Sequence, residues 1–90
     1  MYVENLINRK LMHVRTKKLY KIRHLPKKYG DDAINAGHYY IPILNLKNND
    51  QNVLHLNKRT YKQYIILDEL TNCKDEEATK MLHDLTCTLN

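Results

Sequence analysis

Before residue 68 no apolar run in this chain outlasts a single β-strand, and after residue 70 the apolar positions change period. Along residues 19–25, Tyr20, Ile22 and His24 fall to one side and Lys21 and Arg23 to the other. That two-residue alternation belongs to a half-exposed strand. Near the C-terminus Ala78, Met81, Leu82, Leu85 and Leu89 recur at intervals of three and four, the stripe of an amphipathic helix. A chain with such a switch folds as a set of short strands followed by one helix. At 90 residues it holds a single domain, since a second core would have too little chain to bury itself.

Turn chemistry divides the first part into hairpins. Residues 10–15 form one arm, Thr16-Lys17-Lys18 a turn, and residues 19–25 the returning arm, which Pro26 ends because proline donates nothing to a sheet ladder. Residues 26–37 read as a long loop with Gly30, Asp31-Asp32 and Gly37 as its turn signals. Residues 38–46 are the most apolar stretch, and Pro42 within it predicts an edge strand or a bulge. The polar segment 47–52 turns the chain back into a strand at 53–57. A short turn at 58–62 then leads to a last strand at 63–67. Residues 1–9 are a lead-in in which Val3, Leu6 and Ile7 suit a short helix or irregular chain. The helix is expected over 72–87, with Asn72 as its cap and Asp75, Glu76 and Glu77 facing the positive end of its dipole.

Composition limits what this domain can do. Phe and Trp are absent and all seven aromatic residues are tyrosines, so the core must draw on aliphatic side chains and tyrosine rings. No segment approaches the roughly 20 apolar residues of a membrane span, and the first ten residues lack the apolar region of a secretory signal. Cys73 and Cys87 are the two cysteines, and the expectation is a reduced pair in a cytoplasmic protein, with a single disulfide as the alternative. The excess of Lys over Arg and the frequent Asn suggest a bacterial or viral origin, and for a viral protein the host cytoplasm.

Five short strands in two hairpins, a turn before the last strand and a C-terminal helix make a mainly β (β+α) fold. Their order is that of a small SH3-like five-stranded antiparallel barrel with a C-terminal α-helix. An open antiparallel sheet with the helix packed across one face is the alternative. The stretch Met12-His13-Val14-Arg15-Thr16-Lys17-Lys18-Leu19-Tyr20-Lys21-Ile22 resembles the opening hairpin of small uncharacterised bacterial and phage SH3-like domains. Tyr39-Tyr40-Ile41-Pro42-Ile43 is similar to their central strand, and residues 59–64 to their last turn, so the likeness covers residues 9–67. Where that family places a turn glycine, Lys17 or Lys18 stands instead. The resemblance implies the barrel and no activity.

Catalysis finds no support. The chain has no serine, a Cys87–His83 pair lacks any sign of an oxyanion site, and Asp31-Asp32 lies on a polar loop. Metal binding would draw on Cys73, His83 and Cys87 with a fourth ligand from elsewhere, but the five histidines are scattered and fit no zinc spacing. No cofactor and no enzymatic role are expected.

Charge is the informative feature. Residues 1–67 carry 13 Lys and Arg against four acids, whereas residues 68–90 carry two Lys against six acids, for a net +5 overall. Arg15, Lys17, Lys18, Lys21, Arg23, Lys27 and Lys28 cluster around the first hairpin, where Arg15, Lys21 and Arg23 can share an outer face with Lys17 and Lys18 at the tip. Such a cluster suits phosphates, and Tyr29 beside it, with Tyr20, suits unpaired bases. Nucleic acid of unknown type is therefore the expected partner. A solvated lysine-rich face is the plainer account of any one of these residues.

Two other partners are considered. Convergence of Tyr20, Tyr39, Tyr40, Tyr61 and Tyr64 at one barrel mouth would make an aromatic groove, although a core without Phe or Trp accounts for most of them. A phage-type protein docking on a host factor would use the barrel edge or the helix, with Tyr39, Tyr61, Met81 and Leu85 as contacts. A homodimer through the apolar part of the 78–89 face is a further expectation.

Overall fold

The sheet is built from antiparallel pairings alone. The computed structural model describes residues 3–28 and 38–87. After a 3₁₀ turn at Val3–Leu6 come β1 (Lys10–His13), β2 (Leu19–Ile22), β3 (Lys27–Lys28), β4 (Tyr39–Asn45) and β5 (Gln51–Leu56). A second 3₁₀ turn, Tyr61–Gln63, leads to β6 (Tyr64–Ile66), and helix α1 (Glu76–Cys87) ends the described chain. Across the sheet the strands run β5, β4, β2, β1, β6, with β3 sharing the β2 edge of β4.

Three loops of one geometry shape this chain. The Lys17 N–H donates to His13 O at 2.8 Å, Asn49 to Asn45 O at 2.8 Å, and Asn72 to Asp68 O at 2.9 Å. Each closure leaves its donor in the left-handed region, with φ of 62° at Lys17, 62° at Asn49 and 58° at Asn72. The first two join β1 to β2 and β4 to β5. The third makes a minimal hairpin, closed by the Leu67–Lys74 bridge, between β6 and the helix.

Alternation places the core on one face of the sheet. Leu11, Ile22, Ile41, Ile43, Leu54, Leu56 and Ile66 are buried there, with Leu6 from the lead-in and Ala78 and Leu82 from α1. Tyr20, Tyr39, Tyr61, Tyr64, Met81 and Leu85 pack around them, so tyrosine does fill the place of the missing phenylalanines.

Pro42 lies in the middle of β4, which is paired along both edges rather than being an edge strand. Its carbonyl accepts from Arg23 N–H at 2.9 Å on the β2 side. Its missing N–H falls on that same side, where β2 gives way to β3. The Arg23–Pro42 pair therefore keeps one bond in place of two, and residues 24–26 bulge just beyond it opposite Ile41 alone, where the ladder is interrupted in any case. The bulge also explains why β2 stops at Ile22 and why Lys27 and Lys28, expected in a loop, return to the sheet against Tyr40 and Tyr39.

The sheet does not close into a barrel: among the described residues no pairing joins β5 to β6. The outward edge of β6 is already occupied by α1. Ile66 N–H donates to Thr79 Oγ1 at 2.9 Å, and Ile66 O accepts from Asp75 N–H at 2.8 Å. Tyr64 O accepts from His83 Nε2 at 2.7 Å. A strand edge that would otherwise seek another strand is thus satisfied by one turn-spaced set of helix groups. His83 is accordingly half-buried rather than solvated, and its ring meets Tyr61 edge-on at 5.2 Å.

The helix begins later than its sequence suggested. Asn72 belongs to the third loop, and Asp75 is the cap: its Oδ1 accepts from Ala78 N–H at 3.0 Å and its carbonyl from Thr79 N–H at 2.9 Å. Asn72 reads as a cap because asparagine suits both roles, and the left-handed loop position won.

Thr79→Val keeps the shape of a buried side chain but leaves the Ile66 N–H without a partner. It is expected to cost about 1–3 kcal/mol, read as a lowered midpoint in urea unfolding.

Candidate functional site

The nine cations between Arg9 and Lys28 fall into two groups. Arg9 and Lys10 are held by the C-terminal segment. Arg9 Nη2 donates to Asp75 Oδ2 at 2.7 Å and to Leu67 O at 3.1 Å, with the Arg9 side chain 14% exposed. Its Nε is buried without a hydrogen bond, the nearest carboxylate oxygen, on Glu69, being 3.9 Å away. Lys10 Nζ donates to Asn72 Oδ1 at 2.9 Å. These two contacts fasten the start of β1 to the loop and cap that launch α1.

The other seven, Arg15, Lys17, Lys18, Lys21, Arg23, Lys27 and Lys28, pair with no carboxylate among the described residues. All are exposed except Lys21, which is half-buried. Lys21 and Arg23 point to the outer face of the sheet, away from the core, as the alternation required. Lys27 joins them because it stands opposite Tyr40, whereas Lys28 stands opposite Tyr39 and faces the other way. Arg15, Lys17 and Lys18 form the hairpin tip. Tyr29 lies outside the described residues.

Two details of this surface run against stability. Lys10 and Lys21 stand directly opposite on the outer face. They form the close, non-hydrogen-bonded kind of antiparallel pair, in which like charges repel. Lys17 takes the left-handed position that asparagine fills in both other loops, where a lysine side chain gains nothing local to offset a cost of about 1 kcal/mol. A glycine at this position would adopt the same conformation without that cost.

The outer face is not only basic. In register, Ile65, Met12, Leu19 and Leu46 form a row across β6, β1, β2 and the end of β4, each half-buried except Leu46, which is 39% exposed. Leu44 adjoins the row beside Lys21. Met12 and Leu19 signal this row in the sequence, since both are apolar yet out of phase with the core residues Leu11 and Tyr20. An open groove of about 490 Å³ lies further along, bordered by Arg23, His24, Pro42 and Val53.

The five tyrosines do not share one mouth. Tyr20 and Tyr64 border a groove of about 390 Å³ on the core side. Tyr39 packs at the opposite end of β4, Tyr40 points to the outer face, and Tyr61 stacks on His83. Burial, and then the neighbouring Tyr20, push the Tyr64 phenol up. Met81 and Leu85 are half-buried against the core. Cys73 is an exposed free thiol, and the groups able to hold a metal ion do not cluster in threes among the described residues. No helix there is long and apolar enough to cross a membrane. Comparison with protein-family models, with curated proteins and with solved structures finds no match to this chain.

The Asp75 carboxyl is held below the ordinary carboxylate range, first by the Arg9 hydrogen bond and then by the Ala78 N–H. Asp68 is held low by the N–H groups of Thr71 and Leu70. A carboxyl depressed in the folded state stabilises above its unfolded value and loses that contribution as pH falls through its folded value. Urea midpoints should therefore fall between about pH 5 and pH 2, and Asp75→Asn should flatten part of that slope, leaving the share due to Asp68. Lys17→Gly should raise stability by up to about 1 kcal/mol, seen as a higher urea midpoint at unchanged slope.

Proposed function

We propose that the chain is a non-enzymatic nucleic-acid-binding module on an SH3-like framework, acting in the cytoplasm. The strand order β5-β4-β2-β1-β6 with a 3₁₀ turn before the last strand supports that framework. One observation carries the function: among the described residues, seven cations around the first hairpin lack carboxylate partners, while three acids of the C-terminal segment are engaged at the opposite end of β1 and in the loop beyond it.

Lys21, near the end of β2, and Arg23, just beyond it, lie about 7 Å apart, a spacing on the scale of neighbouring phosphates of one strand. Lys10 and Lys27 extend the same face on either side, and the tip cations reach beyond it. Two lysines set against each other, Lys10 and Lys21, repel less when phosphates neutralise them. Half-exposed Met12, Leu19 and Leu46 between these cations can lie against sugars or unstacked bases.

A protein partner is the second reading, favoured by the same aliphatic row with its exposed end at Leu46. The two separate on salt. Fluorescence anisotropy with labelled single- and double-stranded oligonucleotides should show affinity falling along a log–log salt slope of about −0.7 to −0.9 per phosphate contacted. Lys17→Glu, Lys18→Glu and Lys21→Glu should each weaken binding, and removing one contact lowers the slope by about one unit. Absence of binding at low salt overturns the reading and leaves the aliphatic row as the surface to pursue.

A further inference from the structure

The outer face of the sheet is built from cross-strand pairs of one kind. Lys21 stands opposite Leu44, Arg23 opposite Pro42, and Lys27 opposite Tyr40. Each pair sets a cation on the β2–β3 side against an apolar or aromatic side chain on β4. Successive pairs are two β4 residues, or about 7 Å, apart. The bulge at 24–26 maintains that step, since Lys27 comes four residues after Arg23 in the chain but only one pair further along β4. Val53, 51% exposed, lies beyond Pro42 on β5, and the open groove bordered by Arg23, Pro42 and Val53 crosses the middle of the face. Among the described residues the strand positions of this face include no acid.

A ligand matched to this pattern carries negative charges in single file, with a flat apolar group to one side of each. A single strand of nucleic acid has that form: one phosphate per nucleotide, and a base whose π-face is open when it is unpaired. A duplex offers the phosphates, but stacking covers the faces of its bases. Their edges are reached only in the grooves, and the major groove, about 12 Å wide, admits a helix or a two-stranded ribbon. The outer face spans five strands, about 19 Å, and is too broad to enter. Nor does the first hairpin project as a ribbon. Its neighbours follow it to the end of the strands, where Val14 N–H donates to Gln63 O at 2.8 Å and Leu46 N–H to Leu19 O at 3.1 Å, so only the turn stands clear.

Resting on the nucleic-acid reading above, we propose that the outer face is a single-strand site. The sugar–phosphate backbone runs along β2 and β3 over Lys21, Arg23 and Lys27, and the bases lie across β4 on Leu44, Pro42 and Tyr40. Tyr40 supplies the stacking ring of the three. Charge complementarity selects this occupant, because an apolar partner would bury three cations without counter-charges.

Fluorescence anisotropy with one short labelled oligonucleotide in three forms tests this. The forms are the intact single strand, the same strand annealed to its complement, and an abasic strand with the same phosphates and no bases. At equal salt the intact strand should bind about tenfold or more tighter than the other two, the worth of one or more stacked bases. Tyr40→Leu keeps an apolar side chain and removes the ring. It should weaken binding of the intact strand about tenfold at an unchanged log–log salt slope. Lys27→Gln should instead lower that slope by about 0.7, one single-strand phosphate.

A duplex or an abasic strand bound as tightly as the intact strand overturns the single-strand site and leaves the nucleic-acid reading standing. A Tyr40→Leu or Lys27→Gln protein that binds the intact strand like the parent overturns this placement of the strand. Failure of all three forms to bind at low salt overturns the reading on which the site rests. Tyr40 is half-buried, so far-UV circular dichroism checks the folding of its variant, and the abasic comparison, made with the parent protein, decides without it.

Discussion

Everything distinctive here depends on how α1 meets the outer edge of β6. A helix lying against a sheet edge must satisfy that edge's backbone groups or pay the cost of burying them bare. Asp75, Thr79 and His83 are spaced at four-residue intervals, one turn apart, so they reach successive outward groups of β6 in order. Burial of Ala78 and Leu82 supplies the packing energy, and the polar contacts set the register. Because that edge is taken, the sheet does not close, and among the described residues β5 at the other side pairs with β4 alone.

The same docking divides the charge. Asp75 caps the helix and receives Arg9, Glu69 approaches Arg9, and Lys74 meets Glu76 at 3.6 Å. These acids are held at the Lys10 end of β1. The hairpin tip is at the other end, so its cations have no internal counter-charge among the described residues. The positive φ at Lys17 and the Lys10–Lys21 pair add to that imbalance. Stability conceded at one surface is a physical reason to look for a ligand there.

Much of the fold was legible because its signals were local. Alternation in residues 19–22 and the three-and-four stripe of α1 depend on neighbours in sequence and are present, and the turn expected at 16–18 is found slightly earlier, because β1 ends at His13 and the chain closes from Lys17 back to it. The helix cap was misplaced by three residues because Asn72 and Asp75 carry equivalent local signals, and Asn72 is taken by the left-handed position of the loop before the helix. In the sequence Pro42 marks an edge strand or a bulge, and only strand register chooses the bulge, which lies in the partner segment just beyond Arg23. Closure was misjudged for the same reason: Thr79 and His83 look like ordinary helix residues until β6 lies beside them. At the candidate site the basic cluster was evident, but Arg9 and Lys10 could not be told apart from their neighbours. The reversed direction of Lys28 and the aliphatic row through Met12 and Leu19 emerged only from strand register.

The claim at the centre of this account is that the outer face and tip of the first hairpin form a contact surface for phosphates. Titration of the isotopically labelled protein with a short oligonucleotide, followed through its backbone amide resonances, addresses that directly. Shifts should concentrate at residues 14–23 and 27–28, with α1 and the β6 edge unmoved. An unchanged spectrum at low salt, or shifts centred on α1, would contradict it.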